Sequence, residues 1–301
     1  MDRYYAPDTH MAQSKKLIKL RIKSVRNTRK ITKAMELVAA SKMRRAVASA
    51  LRTRAYADSA LEAIRSAAEQ APEDVQNVLL HGNPKAKRSL VVLFSSDRGL
   101  AGGLNVNLTR AVIEKVRGLG VGDVDVIGVG KKGADAVERA GIKVIARFPA
   151  LSNNPVYTDL LPAARLALDE FMKGTYKTVT IGYTHFVSGI SQRPTLIDFL
   201  PFAFEAKSGK AGSGFAGNLR FEPSPHEVFE RMLPAVARTM LYQALLESVA
   251  SEHAARMLAM RNASDSALEM LDSLTFTYNQ ARQAGITQEI AEISSGKAAL
   301  E

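Results

Sequence analysis

The stretch Ser14 to Ala68, SKKLIKLRIKSVRNTRKITKAMELVAASKMRRAVASALRTRAYADSALEAIRSAA, contains neither glycine nor proline. Nothing in it ends a helix, so it predicts one continuous helix of roughly 50 residues, about 75 Å long at 1.5 Å per residue. A helix of that length is rarely the core of a globule and needs a partner along its side. Ile18, Ile22, Val25, Ile31, Met35 and Val38 fall three, four or six apart and predict one apolar stripe for that partner. Charge is equally one-sided, with fourteen Lys or Arg against the single acid Glu36 between Ala12 and Arg54.

The far end of the chain supplies the complement. Ser224 followed by Pro225 and Glu227 reads as a capping box with proline at the first helical position. Apolar residues then recur at Phe229, Leu233, Val236, Met240, Leu245, Val249, Met257, Met260, Met270, Leu274 and Tyr278, interrupted only by Pro234. From His226 to Glu301 ten acids face six bases. Two long helices of opposite charge at opposite ends of the sequence predict an antiparallel coiled coil, a rod carried on the body between them.

The body reads as α/β. Strand patterns at 89–96, 124–129, 142–148, 178–186 and 195–202 alternate with helix patterns at 107–119, 131–140 and 159–172. Alternation of this kind predicts a doubly wound, mostly parallel sheet with helices on both faces. The last two strands follow each other directly, which predicts an antiparallel pair at one edge. The expected division is an extension over 1–11, the first long helix over 12–68, a linker over 69–88, the α/β domain over 89–222 and the closing helix over 223–301. Lys207 to Gly217, KSGKAGSGFAG, reads as a flexible loop.

Composition excludes several functions. The chain has 301 residues, 46% hydrophobic and 24% charged, and no apolar run near the roughly 20 residues that span a membrane. Cysteine is absent, which removes disulfides, thiolate zinc sites and cysteine nucleophiles. Five scattered histidines give no metal-ligand spacing. Met1 to His10 lacks the apolar core of a signal peptide, so a cytoplasmic chain is expected. The net charge of +11 suggests nucleic acid, but the basic block has no interleaved aromatics and no binding module. A solvated face remains the bland alternative. An acidic protein partner suits a basic face flanking a committed seam best.

Two glycine motifs invite chemistry. Gly128, Gly130 and Gly133 make G-x-G-x-x-G between a strand and a helix, the setting of a dinucleotide fingerprint. The acid expected about 20 residues later is missing, since Leu151, Ser152, Asn153 and Asn154 stand there. Close approach of helix to sheet is the preferred reading. Asp97 to Asn105, DRGLAGGLN, has no lysine after its glycines and does not match a P-loop. No Ser, His and acid constellation converges in the body, so no catalytic residue is assigned.

The ends carry a resemblance. Val25 to Ala46 (VRNTRKITKAMELVAASKMRRA), Glu247 to Ala263 (ESVASEHAARMLAMRNA) and Leu274 to Gly296 (LTFTYNQARQAGITQEIAEISSG) closely resemble the gamma subunit family of the bacterial-type F-type ATP synthase. The central SSDRGLAGGLN is similar to that family's internal signature, and the likeness spans residues 12–300 in order. It implies a rotor shaft within a ring of three alpha and three beta subunits, with the body resting with epsilon on the c-ring. Proton-driven rotation would then be coupled to ATP synthesis or hydrolysis at the beta subunits. The chain itself would hold no cofactor and no catalytic site, Mg-ATP and Mg-ADP being bound by the alpha and beta subunits. It would sit peripherally on the cytoplasmic face of the cell membrane, without nucleic acid.

By position in the family motifs, Met35 is implied to lie nearest an acidic lever of the beta subunit, with Lys30, Lys33, Lys42, Arg44 and Arg45 as the complementary cations. Arg256, Gln283 and Thr287 are implied to couple to Met35, and Arg282 with Gln283 to touch a loop of the catalytic subunit. The tip, Ile286, Ile290, Ile293 and Ala299, is implied to turn in an apolar collar. Ala101 stands where many relatives carry Cys, and the chloroplast cysteine insertion is absent. Met1 to His10 precedes the family's usual start at Met11. The alternative is a free-standing nucleotide-binding α/β protein with a helical dimerisation arm.

Overall fold

The computed structural model describes residues 8–70, 77–151, 155–202 and 220–298, without the side chains of 8–14 and 298. The Lys207–Gly217 loop and Ala299 lie outside the described residues. Among the described residues six α-helices and five strands follow in the order α1 Asp8–Gln70, α2 Val78–His81, β1 Arg88–Phe94, α3 Leu104–Leu119, β2 Val124–Val129, α4 Lys131–Arg139, β3 Lys143–Phe148, α5 Tyr157–Met172, β4 Tyr176–Phe186, β5 Gln192–Leu200 and α6 Pro225–Ala298. The Ser224 hydroxyl accepts the Glu227 N–H at 3.3 Å, capping α6 where expected. Pro234 lies inside α6 without ending it.

Contacts divide the chain into two compact units, one of residues 1–38 with 259–301, the other of residues 39–258. In the first unit the covered positions of α1 run Ile18, Ile22, Val25, Thr32, Met35 and Glu36. Those of α6 run Met260, Ser264, Ala267, Leu271, Leu274, Tyr278, Ala281, Gly285 and Gln288, alternately four and three apart. Alternation of three and four is a heptad, the period of a left-handed coiled coil. Lys15 lies against Gly285, so the start of α1 meets the late part of α6 and the pair is antiparallel. Two residues leave the expected stripe: Ile31 is 61% exposed and Val38 56%, whereas Thr32 is 9% exposed. The reason is the period, because seven-residue steps from Ile18 lead through Val25 to Thr32 and bypass the more apolar Ile31. Met270 is displaced in the same way, exposed beside a buried Leu271.

In the second unit the sheet has the order β3-β2-β1-β4-β5. β1 pairs in parallel with β2 and β4, β2 in parallel with β3, and β4 antiparallel with β5. Alternate residues of β1 face opposite ways, as the period of two requires. Val91 and Leu93 pack with Leu108, Val112 and Val116 of α3 and Val137 of α4. Leu90, Val92 and Phe94 pack on the other face with α5, with Phe229, Leu233 and Leu241 of α6, and with Ile64 of α1. Within this unit α1 turns a row inward that is small except at Met43 and Ile64, namely Ala39, Met43, Ala46, Ala50, Thr53, Ala57, Ala60, Ile64 and Ala67, again four and three apart. Small side chains let helix backbones approach closely.

Candidate functional site: the joint of the long helices with the sheet

In a doubly wound sheet a ligand binds at the carboxyl edge, where the strand order reverses. Here that point lies between β1 and β4, because β2 and β3 continue to one side and β5 to the other. The chain fills it with its own α6. Ser248 donates its hydroxyl to the Phe94 carbonyl at 3.4 Å, and Ser251 donates to the Thr184 carbonyl at 2.9 Å. Arg256 forms an ion pair with Glu252 at 2.8 Å and donates to the Gly99 carbonyl of the glycine-rich loop at 3.4 Å.

One acid gathers the joint. Glu247 is 4% exposed, and its Oε1 accepts from Arg54 Nε and Nη2 of α1 at 3.2 and 2.9 Å and from Gln243 Nε2 at 3.0 Å. Its Oε2 shares a short hydrogen bond with His185 Nδ1 of β4. Gln243 also donates to the Ala50 carbonyl of α1 at 3.2 Å, which an alanine at that point leaves accessible. A buried carboxylate is tolerated only when its oxygens are met in this way. Burial, then the Glu247 charge, pushes the neighbouring Tyr183 hydroxyl up to about 12, with Arg54 opposing.

The two glycine motifs close on each other. The first amides of α4 are all taken: Lys131 N–H donates to Asp97 Oδ1 at 2.8 Å, Lys132 N–H to the Ser96 carbonyl at 2.9 Å and Gly133 N–H to Ser95 Oγ at 2.9 Å. Asp97 Oδ2 accepts from Ala150 N–H at 3.0 Å. A pyrophosphate on this helix end would need those same donors. The glycines serve close packing: a Cβ on Gly128 would stand 2.7 Å from that of Ala134, and one on Gly133 2.6 Å from Ser95 Oγ. Gly130, at φ +102, would drive a Cβ into the Ser95 carbonyl. The dinucleotide reading therefore fails on geometry, and close approach of helix to sheet is what the motif provides.

The residues implied by the family motifs fall in both units. In the first, Lys30, Arg282, Gln283 and Thr287 are exposed, Met35 is half-buried on the seam, and Lys33 is exposed and paired with Glu36 at 2.9 Å. In the second, Arg44 and Arg45 are exposed and Lys42 is half-buried. Arg256 has a side chain only 12% exposed, held by Glu252 and Gly99 rather than turned to solvent. Sequence reasoning missed Arg54, His185, Gln243 and Glu247 as a set. The available signal was the run of polar residues, Gln243, Glu247, Ser248, Ser251 and Glu252, breaking into an otherwise apolar helix face. Among the described residues no helix is long and apolar enough to cross a membrane.

Residues 14–300 match the ATP synthase family. The ATP synthase gamma chain of Herpetosiphon aurantiacus is 43% identical over 294 residues, covering 94% of this chain and 97% of that one. Among solved structures, one chain of the Tetrahymena thermophila mitochondrial ATP synthase central stalk and c-ring is 26% identical with a TM-score of 0.57, covering 78% of this chain and 99% of its own. A chain of the Euglena gracilis mitochondrial ATP synthase is alike in fold at a TM-score of 0.69 and 21% identity, covering 96% of this chain and 95% of its own. Matched along nearly its whole length in sequence, and in fold by assemblies of the same kind, the chain belongs to the ATP synthase family as a gamma chain.

Proposed function

We infer that the chain is the central shaft of an F-type ATP synthase, a non-catalytic subunit that carries rotation between a membrane ring and the catalytic sites. The observation that supports this best is the joint itself. The crevice in which an α/β enzyme would bind its substrate is filled by α6, held there by Ser248, Ser251 and Glu247. A site spent on anchoring a helix is suited to bearing load. The alternative of a free-standing nucleotide-binding protein finds its fingerprint amides already bonded to Ser95, Ser96 and Asp97.

The finer reading follows the resemblance. The partners are three alpha and three beta subunits, epsilon and the c-ring, with magnesium nucleotides held by the alpha and beta subunits, on the cytoplasmic face of the membrane. Exposed Lys30 and Arg282, with Lys33, Gln283 and Thr287, in the first unit, and exposed Arg44 and Arg45, with Lys42, in the second, supply polar and cationic positions for a moving acidic segment. Long-range attraction of this kind tolerates sliding where tight interlocking would stall it. Met35, half-buried on the seam of the coiled pair, is the sensitive point, and Arg256 acts through the body.

Met35→Lys in the assembled, membrane-bound complex tests the assignment. A new cation in a partly dry interface binds an acidic partner several times more strongly than the roughly 0 to 1 kcal/mol of an exposed pair. ATP hydrolysis should persist while ATP-driven proton pumping falls. Equal loss of both in a normally assembled complex would remove Met35 from the coupling surface, and failure of the chain to assemble with alpha and beta subunits would remove the shaft reading itself.

A further inference from the structure

We propose that Glu247 is the tie that makes the sheet and both long helices turn as one, so that the Arg54–Glu247–His185 cluster, rather than apolar packing, sets the rotational register between them. The proposal rests on the shaft function and adds to it the residue through which load passes inside the chain.

The argument begins with what α1 offers its neighbours in this unit. Its inward row is mainly alanine, from Ala39 through Ala46, Ala50, Ala57 and Ala60 to Ala67, and all of these are covered. Alanines bury apolar surface but project little, and apolar attraction has no preferred direction. Such a row resists separation better than it resists sliding. Interlocking requires large knobs in holes, which this row supplies only at Met43 and Ile64. A directional restraint has to come from hydrogen bonds, whose strength falls steeply with misalignment.

Glu247 supplies that restraint to three elements at once. Two Arg54 donors fix α1, the His185 ring fixes β4, and Gln243 joins Glu247 on α6 to the Ala50 carbonyl of α1. The carboxylate is buried, so its bonds lie in a medium of low dielectric, where each is stronger than at the surface. Bonds to ionised groups are also the strongest of their class. Ser248, Ser251 and Arg256 add polar links from α6 to the sheet and its loops. Loss of Glu247 therefore leaves α1 in place and bonded through Gln243 and Ala50 but without its charged tie to α6 and β4, while the catalytic ring outside is untouched.

The test uses the whole membrane-bound complex carrying Glu247→Gln, Glu247→Leu or Arg54→Gln, with ATP hydrolysis and ATP-driven proton pumping measured on the same vesicles. Hydrolysis should stay within about two-fold of wild type, while protons pumped per ATP fall by about three-fold or more. The Arg54→Gln and Glu247→Gln effects should not add in the double variant, since they break one cluster. Arg54→Cys with Glu247→Cys, joined by a short bismaleimide, then supplies a covalent tie between α1 and α6, with no native cysteine in the chain to compete within it. Recovery of pumping per ATP on cross-linking is the expected result, and a merely stabilising residue would not give it. Wild-type pumping per ATP in assembled Glu247→Gln and Arg54→Gln complexes, or no recovery on cross-linking, overturns the proposal. If Glu247→Leu does not assemble, the Glu247→Gln complex decides, because the amide keeps the side chain's shape and Arg54, one-third exposed, stays solvated without its acid. A wild-type complex that hydrolyses ATP without pumping would instead count against the shaft function.

Discussion

At Gly130 one missing methyl group decides what the body can do. Its backbone at φ +102 is one that side chains rarely adopt, and its Cα faces the Ser95 carbonyl. Gly130→Ala should therefore destabilise the body by about 3 kcal/mol or more, through strain and displacement together. Asp97→Ala should cost less, about 1 to 3 kcal/mol, because it leaves two amides unmet without forcing backbone apart. Chemical denaturation of both variants checks the order, and a milder Gly130 variant would contradict the close-approach reading. Tyr183 gives a pH signature. Its hydroxyl titrates at about 12 in the folded chain, against about 10 when unfolded. The folded state thus binds this proton more tightly, and its contribution is whole below about pH 10 and lost as pH rises toward 12. Unfolding followed from pH 9 upward, about a unit below that onset, should show stability falling over that window, with a smaller fall in Tyr183→Phe.

Among the elements, the long helices were legible in the sequence because their signals are local and cumulative: no breaker from Ser14 to Ala68, and a serine cap with proline before Phe229. The mostly parallel sheet followed from alternation, and the antiparallel edge from two strands with no helix between them. The seam was read less well. Hydrophobicity favoured Ile31 and Val38, but the heptad places Thr32 inside, where its hydroxyl is met by the Arg29 carbonyl at 3.1 Å. Periodicity outranks hydrophobicity when a helix must face one partner for many turns. Ile31→Lys should accordingly change the stability of the coiled pair by less than about 0.5 kcal/mol, whereas Thr32→Lys should cost about 2 kcal/mol or more. Thermal melts of the two variants separate the heptad from the simpler stripe. The Glu247 cluster was hidden for another reason. Its members are far apart in sequence, and no spacing rule links Arg54, His185 and Glu247 before the fold brings them together.

For the molecule as a whole, the two ends of the closing helix have different tasks. Past Gln288 every described residue to Lys297 is exposed, including Ile290 and Ile293, so no described side chain covers the tip. An apolar surface with few charges gains from desolvation at any angle. Truncation after Ser295 should leave coupled rotation measurable with weaker assembly, while truncation before Arg282 should cut torque sharply in single-molecule rotation. Abolition of coupling by loss of Gly296 to Glu301 alone would make the tip a specific contact.

The filled crevice also imposes a timetable on synthesis. Arg54 and Glu247 are 193 residues apart, and the carbonyls of Phe94 and Thr184 receive their α6 partners later than either strand is made. A chain emerging from the ribosome therefore carries its first helix with a bare alanine flank and its sheet with an open edge until α6 has been made. Long-range closure is slow, and exposed apolar surface in the interval is an invitation to aggregation. The element that makes the finished subunit stiff is thus the one that leaves the newborn chain longest in need of a chaperone.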